Sequence, residues 1–301
     1  MNVTNKYSLP EVFERFDRAN KHSAEGADIS VTHLIDSPRI RHLRAANDDQ
    51  LSVDVSDMAL SILGTAVHKI LEEGATLIPG VIAERRYHAS IDGMSISGQI
   101  DLVTPSDNGH YLLSDYKTVR AFSLQAEPAG KLSWEFQLNA YASLAEYNGV
   151  DVSGLEVIAI VRDWSASGLE RSNDYPEAPI VRIPIRLWEP DRRMDYLKER
   201  VQMHLNASED SLCSDEDKWS QKTTWAVHEF TKAGTMKKRA LRVFDSHYEA
   251  MEFSMDNERD REIVERKGKS IRCEGNYCDV SEYCTQWRNE KWTRLSEKKN
   301  Q

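Results

Sequence analysis

Long apolar stretches and a leader sequence are both missing from this chain of 301 residues. A helix that spans a bilayer needs about 20 mostly apolar residues in a row, and no stretch of the sequence approaches that length. The first residues do not show a basic segment followed by an apolar one, which is the pattern of a secretory leader. These absences predict a cytoplasmic protein that does not associate with a membrane.

An excess of positive charge is missing as well. The chain has 39 lysine and arginine residues against 49 aspartate and glutamate residues, which gives a formal net charge of -10. This balance excludes a wholly basic coat for nucleic acid. It does not exclude an enzyme with a local basic groove, because only the surface that meets phosphate must be positive.

Cysteine is scarce, and three of the four cysteines lie close together near the C-terminus. Disulfides are rare in cytosolic proteins, so clustered cysteines in such a protein favour a metal site over a disulfide framework. The four residues are Cys213, Cys273, Cys278 and Cys284.

Hydrophobic periodicity divides the chain into an N-terminal arm (residues 1–27), a core (residues 28–206) and a C-terminal extension (residues 207–301). In the core, segments with helical periodicity alternate with apolar, aromatic-rich segments typical of strands, which indicates an α/β fold. We predict helices over residues 57–75, 133–147 and 191–206, and strands over residues 81–91, 94–103, 109–119, 155–164 and 180–187.

Turn residues join the first three strands, at Asp92-Gly93 and at Asp107-Asn108-Gly109, so we expect an antiparallel meander. The C-terminal extension changes character. It is predicted to contain a charged helix over residues 246–268 and a basic segment formed by Lys232, Lys237, Lys238, Arg239 and Arg242.

Two carboxylates and a lysine stand out on the meander. Asp115 and Lys117 are two residues apart on one strand, so their side chains share a face, and Asp101 lies near the end of the preceding strand. Charged groups on a buried strand are costly unless they pair or hold a ligand. Two carboxylates beside a positive charge suit a hard cation and metal-assisted hydrolysis of a phosphodiester. The alternative is a simple ion pair at the edge of the strand.

Two predicted helices carry further candidates. His68 lies one turn after Gly64 on the same side of the first helix, where the missing side chain leaves room beside the imidazole. A single histidine on a helix is more often structural than a ligand, so both interpretations stay open. Gln137 and Tyr141 share one face of the next helix, and core packing is the alternative for Tyr141.

The order of these motifs resembles that of a known family. The chain contains Gly64-x-x-x-His68, Gly98-Gln99-Ile100-Asp101, Asp115-Tyr116-Lys117 and Gln137-x-x-x-Tyr141. It resembles the RecB-like exonuclease branch of the PD-(D/E)XK nuclease superfamily, which includes CRISPR-associated RecB-like nucleases and bacteriophage relatives. The resemblance covers about residues 28–190. It implies a restriction-endonuclease-like mixed sheet flanked by helices, with a helical, cysteine-containing C-terminal extension.

The resemblance also implies a metal site. Asp101 and Asp115 would hold Mg²⁺ or Mn²⁺, with His68 and the backbone carbonyl of Tyr116 as further ligands. Glu84 matches an acidic residue on the first strand that assists some members of the family.

The remaining matches imply roles in catalysis and in DNA binding. Lys117 would orient or deprotonate the attacking water, and it would act as a fixed cation if its pKa is not depressed. Gln137 and Tyr141 would line the path of the DNA near the scissile phosphate.

The C-terminal cysteines are similar to the three-cysteine cluster that binds an iron-sulfur centre in some of these nucleases. Those members place a fourth cysteine before the core, where this chain has Ser37. Cys213 is an alternative fourth ligand, and four thiolates would suit either [4Fe-4S] or Zn²⁺. The other interpretation is that all four residues are reduced thiols buried in the structure.

These features predict a metal-dependent DNA exonuclease that acts in recombination, repair or phage DNA processing, in a bacterial cell or a phage-infected host. The alternatives are an endonuclease or RNA-cleaving nuclease with the same site, a non-catalytic DNA-binding or recombination partner, and a hydrolase of small phosphoesters. The intact set of Asp101, Asp115 and Lys117 argues against a non-catalytic module. A recombination or helicase partner and the oligomeric state stay open.

Overall fold

The computed structural model describes residues 2–19, 24–106, 109–255 and 260–299. The chain divides into two compact units. The N-terminal unit consists of Met1–Arg41 and Asp48–Ser208, and the C-terminal unit consists of His42–Asn47 and Glu209–Gln301.

Strands and helices alternate through the N-terminal unit, as the sequence predicts for an α/β fold. Its described strands are β1 (Asn2–Thr4), β2 (Ile29–Ser30), β3 (Ser52–Asp54), β4 (Ile82–Ile91), β5 (Met94–Pro105), β6 (Tyr111–Val119), β7 (Val152–Val161) and β8 (Ile180–Ile185). Its described helices are α1 (Val12–Ala19), α2 (Val31–Leu34), α3 (Pro38–Asn47), α4 (Ala59–Ala75), α5 (Ala121–Ala126), α6 (Leu132–Tyr147), α7 (Ala166–Arg171) and α8 (Pro190–Leu205). Helix α3 belongs to this unit only as far as Arg41, and its remaining residues belong to the C-terminal unit.

A mixed sheet, six-stranded in the described residues, forms the centre of this unit, with the order β2-β5-β6-β7-β8 and with β4 paired to β5. Strands β4, β5 and β6 form an antiparallel meander. Strand β7 runs parallel to β6, and β8 runs antiparallel to β7. The parallel pair requires a crossover, which α5 and α6 provide.

The core of the unit lies where α6 packs against the sheet. Leu138, Ala142 and Leu144 of α6 are fully buried, as are Val157 and Ala159 of β7. The near-continuous apolar sequence of β7 is that of a central strand covered by neighbouring elements. Burial of this apolar surface holds the sheet and the crossover helix together.

The predicted fold class, a mixed sheet flanked by helices, is confirmed. The predicted helices and strands of the core occur in the structure, with ends that differ by a few residues. The turn between β4 and β5 has positive φ at both Asp92 (48°) and Gly93 (80°), as a tight hairpin turn requires. In the second predicted turn, Asp107 and Asn108 lie outside the described residues.

The C-terminal unit combines short helices with a small sheet. Its described elements are α9 (Asp215–Lys218), β9 (Thr224–Glu229), β10 (Arg242–Phe244), α10 (His247–Met255), β11 (Arg261–Arg266), α11 (Ile271–Glu274) and α12 (Thr285–Lys299). The strands pair antiparallel in the order β10-β9-β11. This sheet is not predicted from the sequence.

The predicted charged helix over residues 246–268 is wrong in its second half. Residues His247–Met255 are helical, but Arg261–Arg266 form β11, whose Ile263 lies opposite Val227 of β9. Pairing with a distant strand satisfies the backbone of this segment, and such tertiary contacts override a weak local preference. Residues 256–259 of the predicted helix lie outside the described residues.

Within the described ranges, every helix is too short or too polar to cross a bilayer.

Two side chains of α8 contact the backbone carbonyl oxygen of Leu34, the last residue of α2. Arg200 donates from Nε to the carbonyl of Leu34 at 2.9 Å, and His204 Nε2 lies 3.0 Å from the same oxygen. His204 is 4% exposed, and its Nδ1 has no hydrogen-bond partner among the described residues. Burial, with a contribution from the nearby Arg200, lowers the pKa of His204 from 6.5 to about 4.

We therefore expect His204 to make the protein less stable in mild acid. The unfolded chain takes up a proton below pH 6.5, whereas the folded chain takes it up only near pH 4, so stability falls between these values. The loss is at most about 3 kcal/mol. Urea unfolding across this range should show a smaller loss for His204→Gln than for the unchanged protein. Equal pH dependence of the two proteins would contradict this assignment.

Candidate active site

Asp101 and Asp115 lie on the neighbouring strands β5 and β6, as predicted. Regular pairing of the two strands ends at Leu102 and Ser114. Beyond that pair, Asp101 Oδ2 accepts a hydrogen bond from the backbone N–H of Tyr116 at 2.7 Å. Asp101 is 7% exposed and Asp115 is 3% exposed, so both carboxylates are buried.

His68 and Glu84 complete a cluster around Asp101. His68 comes from α4 and Glu84 from β4. His68 Nδ1 lies 3.0 Å from Glu84 Oε1 and 3.5 Å from Asp101 Oδ1. One ligand atom from each of the three side chains lies within 4.8 Å of the others. The ring of His68 also meets the ring of Tyr116 edge-on, with centroids 5.8 Å apart.

The backbone of Glu84 is strained. Its φ is +50°, in the left-handed region that a residue with a side chain rarely adopts within a strand. The regular pairs Ala83–Leu102 and Arg85–Ile100 flank it on either side. Such outliers cost about 1–3 kcal/mol and concentrate at functional sites. Here the outlier occurs at the residue whose carboxylate joins the cluster.

Two members of the cluster, Asp101 and His68, have raised pKa values. Burial, with repulsion from Asp115, raises the pKa of Asp101 to about 8, although His68 and Lys117 oppose the rise. The hydrogen bond to Glu84, with the charge of Asp101, raises the pKa of His68 despite its burial. Carboxylates forced together in this way favour the arrival of a positive charge.

The side chains present fit a divalent cation. Asp101, Glu84 and Asp115 offer carboxylate oxygens, which are the ligands of Mg²⁺ and Mn²⁺, and His68 offers an imidazole nitrogen. Asp115 Oδ2 is buried, and the Lys117 ammonium lies 2.7 Å from it, so this oxygen already faces a positive charge.

Lys117 lies between the cluster and α6. Its Nζ is 2.7 Å from Asp115 Oδ2 and donates to Gln137 Oε1 at 3.1 Å. Burial by itself would lower the pKa of Lys117, but the Asp115 carboxylate outweighs that effect and raises it. Lys117 is therefore a positively charged ammonium at neutral pH rather than a ready proton acceptor.

Gln137 and Tyr141 form one hydrogen-bonded chain with Lys117. Gln137 Nε2 donates to Tyr141 Oη at 2.9 Å. Tyr141 is 5% exposed, and burial raises its pKa to about 12, so its hydroxyl stays protonated. Contact of these two residues with DNA and coordination by the Tyr116 carbonyl stay predictions.

Gly98 makes room for Tyr141. A Cβ at Gly98 would lie 2.8 Å from Tyr141 Cε1 and 3.1 Å from Val31 Cγ2. The glycine of the Gly98-Gln99-Ile100-Asp101 motif therefore allows α6 to approach β5. At Gly64 a Cβ would meet nothing within 4 Å, so a side chain at this position would not crowd the imidazole of His68.

Gln99 and Arg86 hold the Glu84 carboxylate through a chain of hydrogen bonds, and neither residue is predicted from the sequence. Gln99 Nε2 donates to Glu84 Oε2 at 2.6 Å, and Arg86 Nη2 donates to Gln99 Oε1 at 2.7 Å. Arg86 lies directly opposite Gln99 in the pairing of β4 and β5. Side chains alternate between the two faces of a strand, so Gln99 and Asp101 share one face of β5. This alternation is the sequence signal that could have identified Gln99.

The sequence profile of the PD-(D/E)XK nuclease superfamily matches residues 75–285, which is most of the chain. The chain belongs to the PD-(D/E)XK nuclease superfamily. The matched region contains Glu84, Asp101, Asp115 and Lys117 and begins after His68.

One solved structure that resembles the chain is titled "Crystal structure of SSO0001". It shares 17% sequence identity, with a TM-score of 0.45, and the likeness covers 64% of this chain and 85% of that one. No curated protein matches the sequence significantly.

The close approach at Gly98 predicts a pair of opposite effects. Gly98→Ala should lower the free energy of unfolding by about 1–3 kcal/mol, because Tyr141 and Val31 are buried and have little room to move. Gly64→Ala, the control, should raise it by up to about 1 kcal/mol, since alanine is the better helix former. Urea unfolding measures both, and equal midpoints for the two variants would contradict the packing described here.

Cation binding should stabilise the protein against heat. At a Mg²⁺ or Mn²⁺ concentration near 100 times Kd, the gain is about 2.7 kcal/mol, and Asp101→Asn should lose most of it. Protons compete for Asp101, so the gain should grow as the pH rises through about 8. Calorimetry with metal and with EDTA measures the gain.

The same measurement tests Gln99. We expect Gln99→Ala to weaken metal binding by about 10–100-fold, because residues that orient a ligand affect affinity on this scale. Gln202→Ala, a change of the same kind on the exposed face of α8, is the control. Identical metal titrations for both variants would show that Gln99 does not position Glu84.

Proposed function

We propose that this protein is a Mg²⁺- or Mn²⁺-dependent deoxyribonuclease, specifically an exonuclease of the RecB-like type that acts in DNA recombination, repair or phage DNA processing. Membership of the PD-(D/E)XK superfamily suggests a nuclease. One structural observation carries the finer proposal. Two carboxylates, those of Glu84 and Asp101, and the imidazole of His68 converge in one cluster. Beside it, Asp115 forms an ion pair with Lys117, and the Asp115 carboxylate is buried.

The proposed metal ligands are Asp101, Asp115, Glu84 and His68, with the carbonyl of Tyr116 as a further ligand. A bound divalent cation supplies positive charge that stabilises the transition state of phosphodiester hydrolysis and acidifies water. Gln99 and Arg86 keep the Glu84 carboxylate turned toward His68.

Lys117 acts in this proposal as a fixed positive charge. Its ammonium lies next to Asp115 and is held from the other side by Gln137. From this position it offsets negative charge that accumulates on the phosphate during attack. Tyr141 holds Gln137, so the two helical residues orient Lys117 in addition to their proposed contact with DNA.

The exonuclease assignment is supported by the order of motifs along the chain. The histidine on α4, the aspartate on β5, the Asp-x-Lys on β6 and the Gln-x-x-x-Tyr on α6 follow the order of the RecB-like branch. The contact between Lys117 and Gln137 joins the last two motifs into one unit. Cleavage within DNA, or of RNA, would use the same residues and is distinguished by substrate.

Digestion of labelled DNA tests the proposal. We expect degradation of linear DNA with Mg²⁺ or Mn²⁺, none with EDTA, and survival of a closed circle. Lys117→Ala and Asp115→Asn should each reduce the rate by about 100-fold or more, because they remove charge stabilisation at the reacting phosphate.

Asp151→Asn is the matched control for Asp115→Asn, since Asp151 is an exposed carboxylate that pairs with His110. It should digest DNA at the rate of the unchanged protein. If the closed circle is cut, the protein is an endonuclease rather than an exonuclease. If RNA is cleaved in preference to DNA, the substrate is RNA. Failure of the pure protein to cleave any substrate with either metal would overturn the proposal.

The cysteines are proposed to hold a [4Fe-4S] cluster, which would stabilise the C-terminal unit rather than take part in cleavage. Cys273, Cys278 and Cys284 are buried, and burial raises the pKa of Cys273 to about 11. Cys213 approaches the start of α12, because its backbone N–H and carbonyl bond the side chain of Gln286 at 2.9 and 3.0 Å.

Four thiolates suit either a [4Fe-4S] cluster or Zn²⁺. The similarity of the C-terminal cysteines to the three-cysteine cluster of some related nucleases favours the iron-sulfur centre. Anaerobically purified protein should contain iron and sulfide and absorb visible light, and Cys213→Ser should lose them. Zinc in place of iron, or no metal at all, would contradict the cluster.

A further inference from the structure

A basic cleft of about 520 Å³ opens on the surface of the C-terminal unit. It contains four cationic side chains and one carboxylate among its described lining residues. These residues are Gln221, Lys222, Thr224, Asp245, Arg266, Lys267 and Lys269. The basic segment noted in the sequence, residues 232–242, does not contribute to it.

Two segments of chain that are far apart in sequence supply every lining residue of this cleft except Asp245. The backbone N–H of Gln221 donates to the carbonyl of Lys269 at 2.8 Å, and Ser220 pairs with Ser270. Gly268 donates from its N–H to Thr223 Oγ1 at 3.1 Å. A Cβ on Gly268 would lie 2.1 Å from the carbonyl oxygen of Gln221, so only glycine permits this approach.

The charge of the cleft is opposite to that of the chain. Four cations against one carboxylate among the lining residues leave a local excess of positive charge, whereas the whole protein has a formal net charge of -10. A second carboxylate, that of Glu274, lies 3.8 Å from Lys269 Nζ and leaves the excess positive. Like charges gathered in a concave surface repel one another and attract anions. A series of phosphate groups is the ligand that best matches cations spread along both walls.

Two exposed aromatic rings belong to residues that are close in sequence to the lining of the cleft. Trp219 precedes Gln221 by two residues and is 51% exposed, and Tyr277 is 64% exposed. Their ring centroids are 5.5 Å apart, and the guanidinium of Arg272 lies 5.4 Å from the centre of the Trp219 ring. Exposed aromatic rings beside cations are the two parts of a surface that binds unpaired bases and their backbone.

We propose that the cleft and the Trp219–Tyr277 pair form a binding site for single-stranded nucleic acid. The phosphates lie along Lys222, Arg266 and Lys269, and bases stack on the two rings. Stacking requires unpaired bases, so the site selects single strands over duplex. The inference rests on the proposed nuclease function for the nature of the polymer, but its residues are distinct from the cleavage site.

Fluorescence anisotropy with labelled oligothymidylate, in buffer without Mg²⁺ or Mn²⁺, tests the site. We expect Lys222→Glu with Lys269→Glu to raise Kd at least tenfold. The slope of log Kd against log salt concentration should decrease by about 0.7 for each lost phosphate contact. Tyr277→Ala should raise Kd at least about fivefold through loss of stacking.

Two controls match these changes in the same unit. Lys232→Glu with Lys238→Glu alters net charge equally outside the cleft, and Tyr248→Ala removes a tyrosine that is 73% exposed on α10. Both should bind as the unchanged protein does. Thermal melting shows whether each variant is folded. If the double charge-reversal variant of the cleft is unfolded, Lys222→Gln with Lys269→Gln takes its place.

The outcomes separate this site from the proposed nuclease. Equal losses of affinity in the cleft variants and their controls would overturn the inference, as would binding of duplex as tightly as single strands. Single-stranded RNA tested in parallel shows whether the site prefers DNA or RNA. A loss of affinity for either polymer in the cleft variants, but not in their controls, supports the site. Hydrolysis of a small chromogenic phosphodiester reports on the cleavage site alone and should be unchanged in the cleft variants.

Discussion

The burial of Asp101 and Asp115 next to each other is the constraint on which the rest of the N-terminal unit depends. Little water reaches either carboxylate, and repulsion between them adds to the cost of desolvation, so the pKa of Asp101 rises to about 8. Lys117 and His68 offset part of that cost from opposite sides of the pair. A protein retains such an arrangement where the charged groups act on a ligand.

The elements around Asp101 and Asp115 pack closely, and at one residue the backbone is strained. Glu84 adopts a left-handed backbone conformation in β4 and reaches His68. Gly98 lets the ring of Tyr141 lie directly on β5, and α6 thereby brings Gln137 to Lys117. The stability of the fold and the geometry of the site are coupled in this region, because the same contacts determine both.

The predictable features are those with a local physical cause. Periodicity located α4, α6 and α8, and the turn at Asp92-Gly93 specified the hairpin that carries Glu84 and Asp101. The sheet of the C-terminal unit could not be foreseen in this way. Residues Arg261–Arg266 are charged at both ends and have no strong local preference, so pairing with β9 determines their conformation.

The sequence by itself determined the fold class and, through the superfamily motifs, the acidic residues and lysine of the candidate site. The resemblance had suggested Glu84 as an accessory residue, and the tertiary structure places it beside His68 and Asp101. Only the tertiary structure decided that Gln99 and Arg86 hold Glu84 and that Asp115 keeps Lys117 protonated. Local periodicity reports which face of an element is buried. The distances between charges on different elements, which control pKa and coordination, arise only when those elements pack together.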